Sequence, residues 1–304
     1  MSSRCKSVAL PIASLLDAAR RRLGAQPNGQ PAGPLAGQLD GSLERADVFS
    51  LEADLLLAHL LGVSRAWLFA HRERVVPAAE AEKFLDLVDR RVAGEPIAYL
   101  VGSREFWSLP LIVTSDVLIP RPETELLVQA ALDFIPHDAA WRVADLGTGS
   151  GAVALAIATE RPHCEVHATE ISPRAMKIAG LNVGAIAPGR VILHLGCWLE
   201  PLSGRFRVIV SNPPYVAADD PHLVEGDCRF EPRQALTPGA DGLAALRLIA
   251  REALACLAPG GLLAFEHGCD QGAACRELLN GLGYTDVITR NDLEGRERVT
   301  LGTK

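Results

Sequence analysis

Long apolar runs are missing from this chain of 304 residues. No stretch approaches the roughly 18 consecutive apolar residues that a membrane-spanning helix needs, and Met1 to Lys6 lack the basic-then-apolar order of a signal peptide. We therefore expect a cytoplasmic protein with no membrane association. The 48% hydrophobic and 22% charged residues are typical of a globular protein with one large or two ordinary domains.

Paired cysteines and clusters of metal-ligating residues are missing as well. The seven cysteines are odd in number, and no two have Cys-x-x-Cys spacing, so neither a disulfide framework nor a zinc site is indicated. We interpret them mostly as reduced packing residues. No internal repeat is visible, and we expect no bound metal ion.

The chain also has no surplus of basic residues. The formal net charge is −7; residues 1–92 carry 12 Lys/Arg and 11 Asp/Glu, and residues 93–304 carry 18 and 26. The two parts thus have net charges of +1 and −8. Affinity for long stretches of nucleic acid comes from cations that neutralise phosphates. The acidic second part therefore argues against direct nucleic-acid binding, although a local basic groove is compatible with these totals.

The first 94 residues have helical periodicity. Apolar residues at helical spacing predict a helix over 8–23, and the segment 24–46, with five glycines and three prolines, predicts a flexible surface loop. Three further helices are predicted: Ser50 can cap one that runs to Leu61, Ser64 can cap a short one that runs to Ala70, and the last covers 78–93. The histidines of this part, like those elsewhere in the chain, are interpreted as structural.

From Pro96 the pattern changes to short β-prone runs that glycine and proline interrupt. These runs are Tyr99–Gly102, Glu105–Trp107 and Leu109–Val113, and they predict a β-hairpin linker over 95–119. The segment Pro120–Glu125 follows, and it is compatible with a helix start or with a lid over an active site.

A strand, a glycine-rich turn and a helix come next, which is the most specific local pattern of the chain. The strand is predicted over 142–146, and the turn consists of Gly147, Thr148, Gly149, Ser150 and Gly151. The glycines let the backbone pass close beneath a ligand that faces the helix N-terminus. A second strand ends in Glu170, 25 residues after Asp145, where a carboxylate can accept both hydroxyls of a ribose. Together these features predict a site for a nucleoside cofactor.

The glycine spacing is tighter than the Gly-x-Gly-x-x-Gly of dinucleotide sites. Asp145 would repel phosphates but suits the ammonium group of a methionine moiety, so S-adenosyl-L-methionine fits better. Further on, Cys197 and Trp198 follow the third strand, where an adenine ring would lie; Trp198 offers a stacking face or is an ordinary, partly buried aromatic residue.

The remaining strands and helices alternate, as in a doubly wound Rossmann-like α/β sheet. Strands are predicted over 190–195, 207–211, 261–266, 284–290 and 297–302.

Asn212, Pro213, Pro214 and Tyr215 follow the buried strand Val208–Ser211, at the sheet edge where open α/β folds bind ligands. The Asn212 oxygen and the Pro213 carbonyl can accept the two N–H groups of a planar amide or amino nitrogen. The Tyr215 ring can pack on the flat group. A plain turn after a strand is the alternative interpretation.

Taken together in chain order, these motifs resemble the class I S-adenosylmethionine-dependent methyltransferases. They resemble more closely the bacterial release factor glutamine methyltransferases of the HemK/PrmC family. The resemblance covers most of the chain. The motifs that carry it are Pro96–Gly102 with Glu105–Trp107, Leu118–Leu126, Asp145–Gly151, Ser211–Tyr215, and Pro221–Leu223 with Arg229–Pro232.

The resemblance implies methylation of the side-chain amide nitrogen (N5) of the glutamine in the Gly-Gly-Gln loop of class I peptide chain release factors, with S-adenosyl-L-homocysteine as the product. It implies a helical substrate-docking domain over 1–94 and a seven-stranded methyltransferase domain over 120–304, in a monomer. It further implies that the cofactor contacts Gly147–Gly151, Glu170, Trp198 and Asn212, and that the substrate contacts Asn212 and the Pro213 carbonyl.

Two departures from the family pattern stand out. Cys197 occupies a position where many relatives have an acidic residue, so a side-chain hydrogen bond to the adenine amino group is in doubt. The loop over 24–46 is longer and richer in glycine and proline than the family usually shows.

Three alternatives remain. A ribosomal-protein glutamine methyltransferase belongs to the same family, and the Pro120–Glu125 stretch favours the release factor branch. An adenine-N6 methyltransferase would present the same two donors to Asn212 but normally has a basic face and a recognition domain. A binding module without catalysis is disfavoured by the intact motifs.

Overall fold

The computed structural model describes residues 9–25 and 45–304. The loop predicted over 24–46 lies almost entirely outside the described residues, as does Cys5. The chain divides into two compact units: the first runs to Gly102 and includes Val224–Phe230, and the second comprises Ser103–Leu223 and Glu231–Lys304. The division into 1–94, 95–119 and 120–304 stays a prediction.

Helices dominate the described part of the first unit. They are α1 (Ile12–Gly24), α2 (Arg45–Leu61), α3 (Arg65–Ala70), α4 (Ala78–Val92) and α5 (Ile97–Val101), and β1 (Leu10–Pro11) pairs antiparallel with β2 (Val75–Val76). Most residues predicted to face inward from the first helix are buried, including Leu15, Leu16 and Leu23. The amphipathic pattern thus identified the helical core correctly.

Two local predictions in this unit are wrong. The second helix begins at Arg45, so Ser50 lies inside it rather than at its cap. The predicted β-prone run Tyr99–Gly102 is helical up to Val101, because Pro96 stands at the N-cap of α5 and Gly102 ends it in the left-handed conformation with φ 71°. Burial of Leu100 in the helical core outweighs the weak strand preference of so short a run. Ser64, by contrast, caps α3 as predicted, since its Oγ accepts from Trp67 N at 3.1 Å.

Buried charges connect the Val224–Phe230 segment with the helices of the same unit. Arg91 donates to Glu52 at 2.6 Å, and its guanidinium lies 3.9 Å from Asp227. Burial raises the pKa of Glu52, and Arg91 acts in the opposite direction. Because removal of one partner would leave an uncompensated buried charge, this cluster favours a single arrangement of the segment.

The second unit opens with the predicted hairpin, which is confirmed as β3 (Ser103–Phe106) and β4 (Leu109–Ile112). Both residues of its turn are left-handed, Trp107 at φ 52° and Ser108 at φ 57°, which non-glycine residues rarely adopt. The Trp107 backbone N–H donates to Glu125 Oε1 at 2.8 Å, and its indole N–H donates to Glu160 at 2.9 Å. These two hydrogen bonds hold the turn.

Seven strands of the described chain form one sheet, which confirms the doubly wound α/β prediction. The strands are β5 (Arg142–Leu146), β6 (Glu165–Glu170), β7 (Val191–Leu195), β8 (Phe206–Ser211), β9 (Leu257–Glu266), β10 (Thr285–Asn291) and β11 (Glu297–Thr303). Their order is β10-β11-β9-β8-β5-β6-β7. The pairs among β5 to β9 are parallel, and β11 is antiparallel to both β9 and β10.

Helices of the second unit cover the sheet. They are α6 (Glu125–Phe134), α7 (Ala152–Glu160), α8 (Pro173–Ile186), α9 (Arg233–Leu236), α10 (Ala244–Cys256) and α11 (Gly272–Leu282). Successive strand residues face opposite sides, so Val143 and Val208 belong to one apolar cluster and Ala144 and Ile209 to another. Both faces of the parallel strands are therefore buried.

The chain order reverses at β5, which has β6 on one side and β8 on the other. Open α/β sheets bind ligands outside the carboxyl ends of the strands at such a switch point. The loops after Leu146, Glu170 and Ser211 all leave the sheet at this edge. In the described residues, no helix is both long and apolar enough to cross a membrane.

Candidate active site

The glycine-rich turn after β5 has left-handed backbone at each glycine: φ is 72° at Gly147, 58° at Gly149 and 88° at Gly151. A Cβ on Gly147 would lie 2.9 Å from Cζ3 of Trp198. Gly151 caps α7, whose N-terminus starts at Ala152. Conformation and space therefore both demand glycine at Gly147.

Asp145 is the buried anchor of this turn. Its Oδ2 accepts from the Thr148 hydroxyl at 2.6 Å and from the Ala154 backbone N–H at 3.1 Å. Burial raises the pKa of Asp145 to about 6, and the nearby Glu170 charge acts in the same direction, against the two hydrogen bonds. A cation placed beside this carboxylate would restore its charged form.

Glu170 ends β6 with both carboxylate oxygens engaged. Oε2 accepts from the Gly149 N–H at 2.9 Å, and Oε1 accepts from the Ser172 N–H at 2.8 Å. The side chain is buried, so these contacts hold its direction. Each oxygen keeps a lone pair for a further donor such as a ribose hydroxyl.

A cavity of about 280 Å³ brings several predicted site residues together. Those that line it are Gly147, Gly149, Glu170, Cys197, Trp198, Asn212 and Pro214. A second, smaller cavity of about 50 Å³ is lined by Asp145, Gly147, Thr148, Gly149, Ser150 and Asn212, among others. Gly147, Gly149 and Asn212 belong to both, so the two cavities meet at the ends of β5 and β8.

The wall of the larger cavity after β7 consists of Cys197 and Trp198. Trp198 has φ 45°, a left-handed conformation that turns the chain back toward the glycine-rich turn. Burial raises the pKa of the Cys197 thiol, as do the negative charges of Glu200 and Glu252. The thiol is therefore neutral at ordinary pH and is not an activated nucleophile.

Asn212 is a polar residue that lines both cavities. Its Nδ2 donates to the Thr124 hydroxyl at 3.0 Å. No donor in the described part of the chain is hydrogen-bonded to its Oδ1. Asn212 therefore offers an unused acceptor at the cavity lining, which suits an N–H group of a ligand.

Pro213, Tyr215 and Gly151 line neither cavity. Pro213 is buried. Tyr215 packs against the core cluster of Phe265, and its hydroxyl donates to Glu266 Oε1 at 3.0 Å. Burial raises the pKa of Tyr215, as does the adjacent Glu266. In this arrangement the Tyr215 ring supports the site from the core side.

Two residues that support the site had no assigned role in the sequence analysis. Thr124 accepts a hydrogen bond from the Asn212 amide, and Glu231 binds the neighbouring segment at Ile119 and Arg121. Glu231 accepts from the Ile119 N–H at 3.0 Å and from the Arg121 guanidinium at 2.5 Å. Both lie in motifs that the resemblance had singled out, but no local pattern indicates such distant partners.

Histidine is not among the described residues that line the two cavities. His267, beside the site in sequence, is buried; its Nδ1 donates to the Gly268 carbonyl, and its Nε2 accepts from Thr300 at 2.8 Å. Burial lowers its pKa. His267 is thus a neutral structural residue, and within the described ranges no group of three or more metal-ligating side chains occurs.

Two family models match the chain. The "PrmC N-terminal domain" matches residues 40–102, and the "Methyltransferase small domain" matches residues 122–227. The first match falls in the helical unit, and the second contains the glycine-rich turn and Asn212.

Two relatives are similar over most of their length. A release factor glutamine methyltransferase of Xylella fastidiosa (strain Temecula1) is 54% identical over 253 residues, which cover 83% of this chain and 92% of the relative. Another, from Salmonella typhimurium, is 48% identical over 252 residues, which cover 83% and 91%. Identity at this level over this length shows common family membership.

A solved structure is similar in fold. The crystal structure of a methyltransferase from Pyrococcus furiosus matches with a TM-score of 0.50 and 19% identity, over 71% of this chain and 96% of that chain. Identity this low supports the sheet architecture and says nothing of the substrate.

Proposed function

Because the chain belongs to the family of release factor glutamine methyltransferases, we propose that it methylates a protein glutamine with S-adenosyl-L-methionine. The acceptor is the side-chain amide nitrogen (N5) of the glutamine in the Gly-Gly-Gln motif of class I peptide chain release factors. The reaction supports translation termination, and its second product is S-adenosyl-L-homocysteine.

One observation carries this proposal beyond family membership. Asn212 lines both cavities, and its NH2 group is bound to Thr124 while its oxygen is unused in the described structure. A primary amide has two N–H donors and a weakly nucleophilic nitrogen. An acceptor at the cavity wall with no donor in the described structure is the group that such a substrate needs.

The residues of the larger cavity suit the proposed cofactor. Glu170 would accept the ribose hydroxyls, Trp198 would face the adenine, and the turn Gly147–Gly151 would pass beneath the methionine part. Asp145 would bind the ammonium group, whose positive charge would lower the carboxyl pKa that burial raises to about 6. When bound, S-adenosyl-L-methionine supplies an electrophilic methyl group on a sulfonium.

The chain's own contribution to catalysis is positioning. Asn212 Oδ1 and the Pro213 carbonyl would accept the two amide N–H groups and stabilise the positive charge that develops on the nitrogen. An amide N–H is far too weakly acidic for a histidine to deprotonate, which is consistent with cavities whose described lining has none. The surplus proton leaves the nitrogen after the methyl group has been transferred.

The release factor is the proposed protein partner. The helical unit matches the family's N-terminal domain over 40–102, and we propose that it contributes to docking this substrate. The near-neutral charge of residues 1–92, +1 against −8 in residues 93–304, suits a protein surface better than a nucleic-acid backbone.

A methyl-transfer assay with three acceptors tests the proposal. Radiolabelled cofactor is incubated with a purified class I release factor, with ribosomal protein and with DNA, and a release factor with Glu in place of the motif glutamine is the control. Label on the unmodified release factor alone is expected. Label on ribosomal protein or DNA instead, or on the control factor, would overturn the assignment.

A further inference from the structure

The segment Asn212–Tyr215 has few main-chain donors with which to fix its own position. Pro213 and Pro214 carry no backbone N–H, so two of its four residues cannot donate to a neighbouring strand. Strands β5 and β8 pair as far as Leu146 and Ser211, and the segment begins immediately beyond this pair. Side chains from other parts of the sheet unit hold its two ends instead.

Ser211 holds the first end. Its side chain is fully buried, and its hydroxyl donates to the Leu146 carbonyl at 2.8 Å. Leu146 directly precedes the glycine-rich turn, and Ser211 directly precedes Asn212. This one hydrogen bond therefore joins the start of the proposed cofactor turn to the start of the proposed substrate segment.

Gln271 holds the second end. Its Nε2 donates to the Tyr215 carbonyl at 3.0 Å, and its Oε1 accepts from the Gly268 N–H at 2.9 Å. A backbone N–H can only donate and a carbonyl can only accept, so just one orientation of the Gln271 amide satisfies both partners. The loop after β9 thus binds the main chain of Tyr215 in a defined direction.

Gly242 leaves room for this second hydrogen bond. A Cβ on Gly242 would overlap the Tyr215 carbonyl oxygen and would lie 2.8 Å from Gln271 Nε2. The backbone there has φ 66°, which also favours glycine. Any side chain at Gly242 would therefore disturb the contact between Gln271 and Tyr215.

The Pro213 carbonyl, one of the two proposed acceptors, depends on both ends of the segment. The Asn212 side chain is hydrogen-bonded to Thr124, which restricts its rotation. A main-chain carbonyl lies in the plane of its peptide, so its direction follows from the backbone on either side. Fixing Ser211 and Tyr215 therefore restricts the direction of the Pro213 carbonyl between them.

We propose that Ser211 and Gln271 are positioning residues for methyl transfer, whose hydrogen bonds to main-chain carbonyls clamp Asn212–Tyr215 at both ends. This inference rests on the proposed function, in which the Pro213 carbonyl accepts one amide N–H of the substrate. The clamps direct that carbonyl and keep the amide nitrogen in line with the methyl group and the departing sulfur.

Ser211→Ala and Gln271→Met each remove one clamp without adding bulk. Each variant should lower the single-turnover rate of methyl transfer, at saturating cofactor and release factor, by about tenfold to a hundredfold, the loss expected when a reacting group is slightly misplaced. The KM for the release factor and the cofactor dissociation constant should stay within tenfold of wild type. Ser211→Cys, whose thiol is a weak donor, should recover part of the rate.

Matched controls make the same chemical changes away from the site. Thr159→Val removes a hydroxyl that donates to main-chain carbonyls on α7, and Gln129→Met removes an amide that donates to Asp133 on α6. Both controls should retain the wild-type rate. A wild-type rate in Ser211→Ala or in Gln271→Met, or an equal loss in the controls, would overturn the proposal.

Hydrogen exchange in the ligand-free protein tests the clamps without turnover. Peptides over 211–219 should exchange faster in Ser211→Ala and Gln271→Met than in the wild type, whereas the helix Ala152–Glu160 should keep its wild-type exchange. Unchanged exchange over 211–219, or an equal increase in both regions, contradicts a local clamp. A wild type that labels no release factor overturns the proposed function, and the exchange comparison still decides whether the clamps exist. If Ser211→Ala does not fold, Ser211→Cys takes its place.

Discussion

Trp198 lies against Gly147 so closely that a Cβ on the glycine would be 2.9 Å from the indole Cζ3. The wall after β7 and the turn after β5 therefore share one surface of the cavity. Any side chain at Gly147 must displace the ring that is proposed to face the adenine.

Gly147→Ala should lower the affinity for S-adenosyl-L-methionine by more than tenfold, because it displaces Trp198 and strains a backbone with φ 72°. Gly283→Ala is the matched control, since φ is 89° there, no atom lies within 4 Å of the added Cβ, and Gly283 lines neither cavity. Both variants should lose about 1–2 kcal/mol of stability from the left-handed backbone. Calorimetric titration measures the affinity of both variants for S-adenosyl-L-methionine. Equal affinities would show that the contact with Trp198 does not matter.

Asn212→Ala should abolish methyl transfer while the cofactor dissociation constant stays within tenfold of wild type, a change below about 1.4 kcal/mol. The amide acceptor is lost, whereas Glu170 and the glycine-rich turn remain. A radiolabelled methyl assay and calorimetry measure the two effects, and Asn280→Ala, at an exposed asparagine of α11, is the control. Retained turnover would refute the role proposed for Asn212.

Asp145→Asn should make the ligand-free protein more stable at pH 8 and should weaken cofactor binding. The folded-state pKa of about 6 exceeds the ordinary aspartate pKa of 3.8, so the folded form binds more protons between these values, and stability falls as pH rises through this window. Since one pKa unit corresponds to about 1.4 kcal/mol, charging Asp145 costs about 3 kcal/mol at pH 8. The asparagine oxygen can still accept from Thr148 and Ala154.

Chemical unfolding of both proteins at pH 4 and pH 8 checks this prediction. The stability gain of Asp145→Asn should be present at pH 8 and largely absent at pH 4. A gain that is the same at both pH values would show that the Asp145 charge is not the cause. A cofactor affinity equal to that of wild type would argue against an ammonium contact.

Glu231→Ala should destabilise the protein by about 3 kcal/mol, because it leaves Arg121 and the Ile119 N–H without their buried carboxylate. Glu231→Gln keeps an acceptor for the Ile119 N–H and should cost less. Urea unfolding of both variants measures the difference. Equal losses would show that the acceptor for the Ile119 N–H contributes little and that the loss comes from the charge of Glu231.

Much of the fold was predictable because it follows from local patterns. Short apolar runs identified the strands, helical spacing identified α1 and α4, and glycine identified the turn at 147–151. The errors arose where local preference is weak. The run Tyr99–Gly102, whose first three residues belong to α5, has a weak β preference, and the start of α2 at Arg45 was missed because Ser50 resembles a cap.

The candidate site was predictable in part. Asp145, Glu170 and Asn212 stand at strand ends, and a parallel sheet brings such ends to one edge. Their residue types and spacing sufficed to suggest a nucleoside cofactor and an amide or amino substrate. Roles for Tyr215 and for the adenine contact at Cys197 remain proposals.

The amino-acid order alone was thus sufficient for the strands, the doubly wound class and the strand ends at which Asp145, Glu170 and Asn212 stand, since apolar runs and glycine placement act over a few neighbouring positions. The strand order and the switch point depended on the folded sheet. The hydrogen-bond partners within the site depended on the folded arrangement. Thr124 and Asn212 are 88 residues apart, and Tyr215 and Glu266 are 51 apart, so no local pattern relates them. Burial then makes each such contact obligatory, because a buried polar atom has no water to bind.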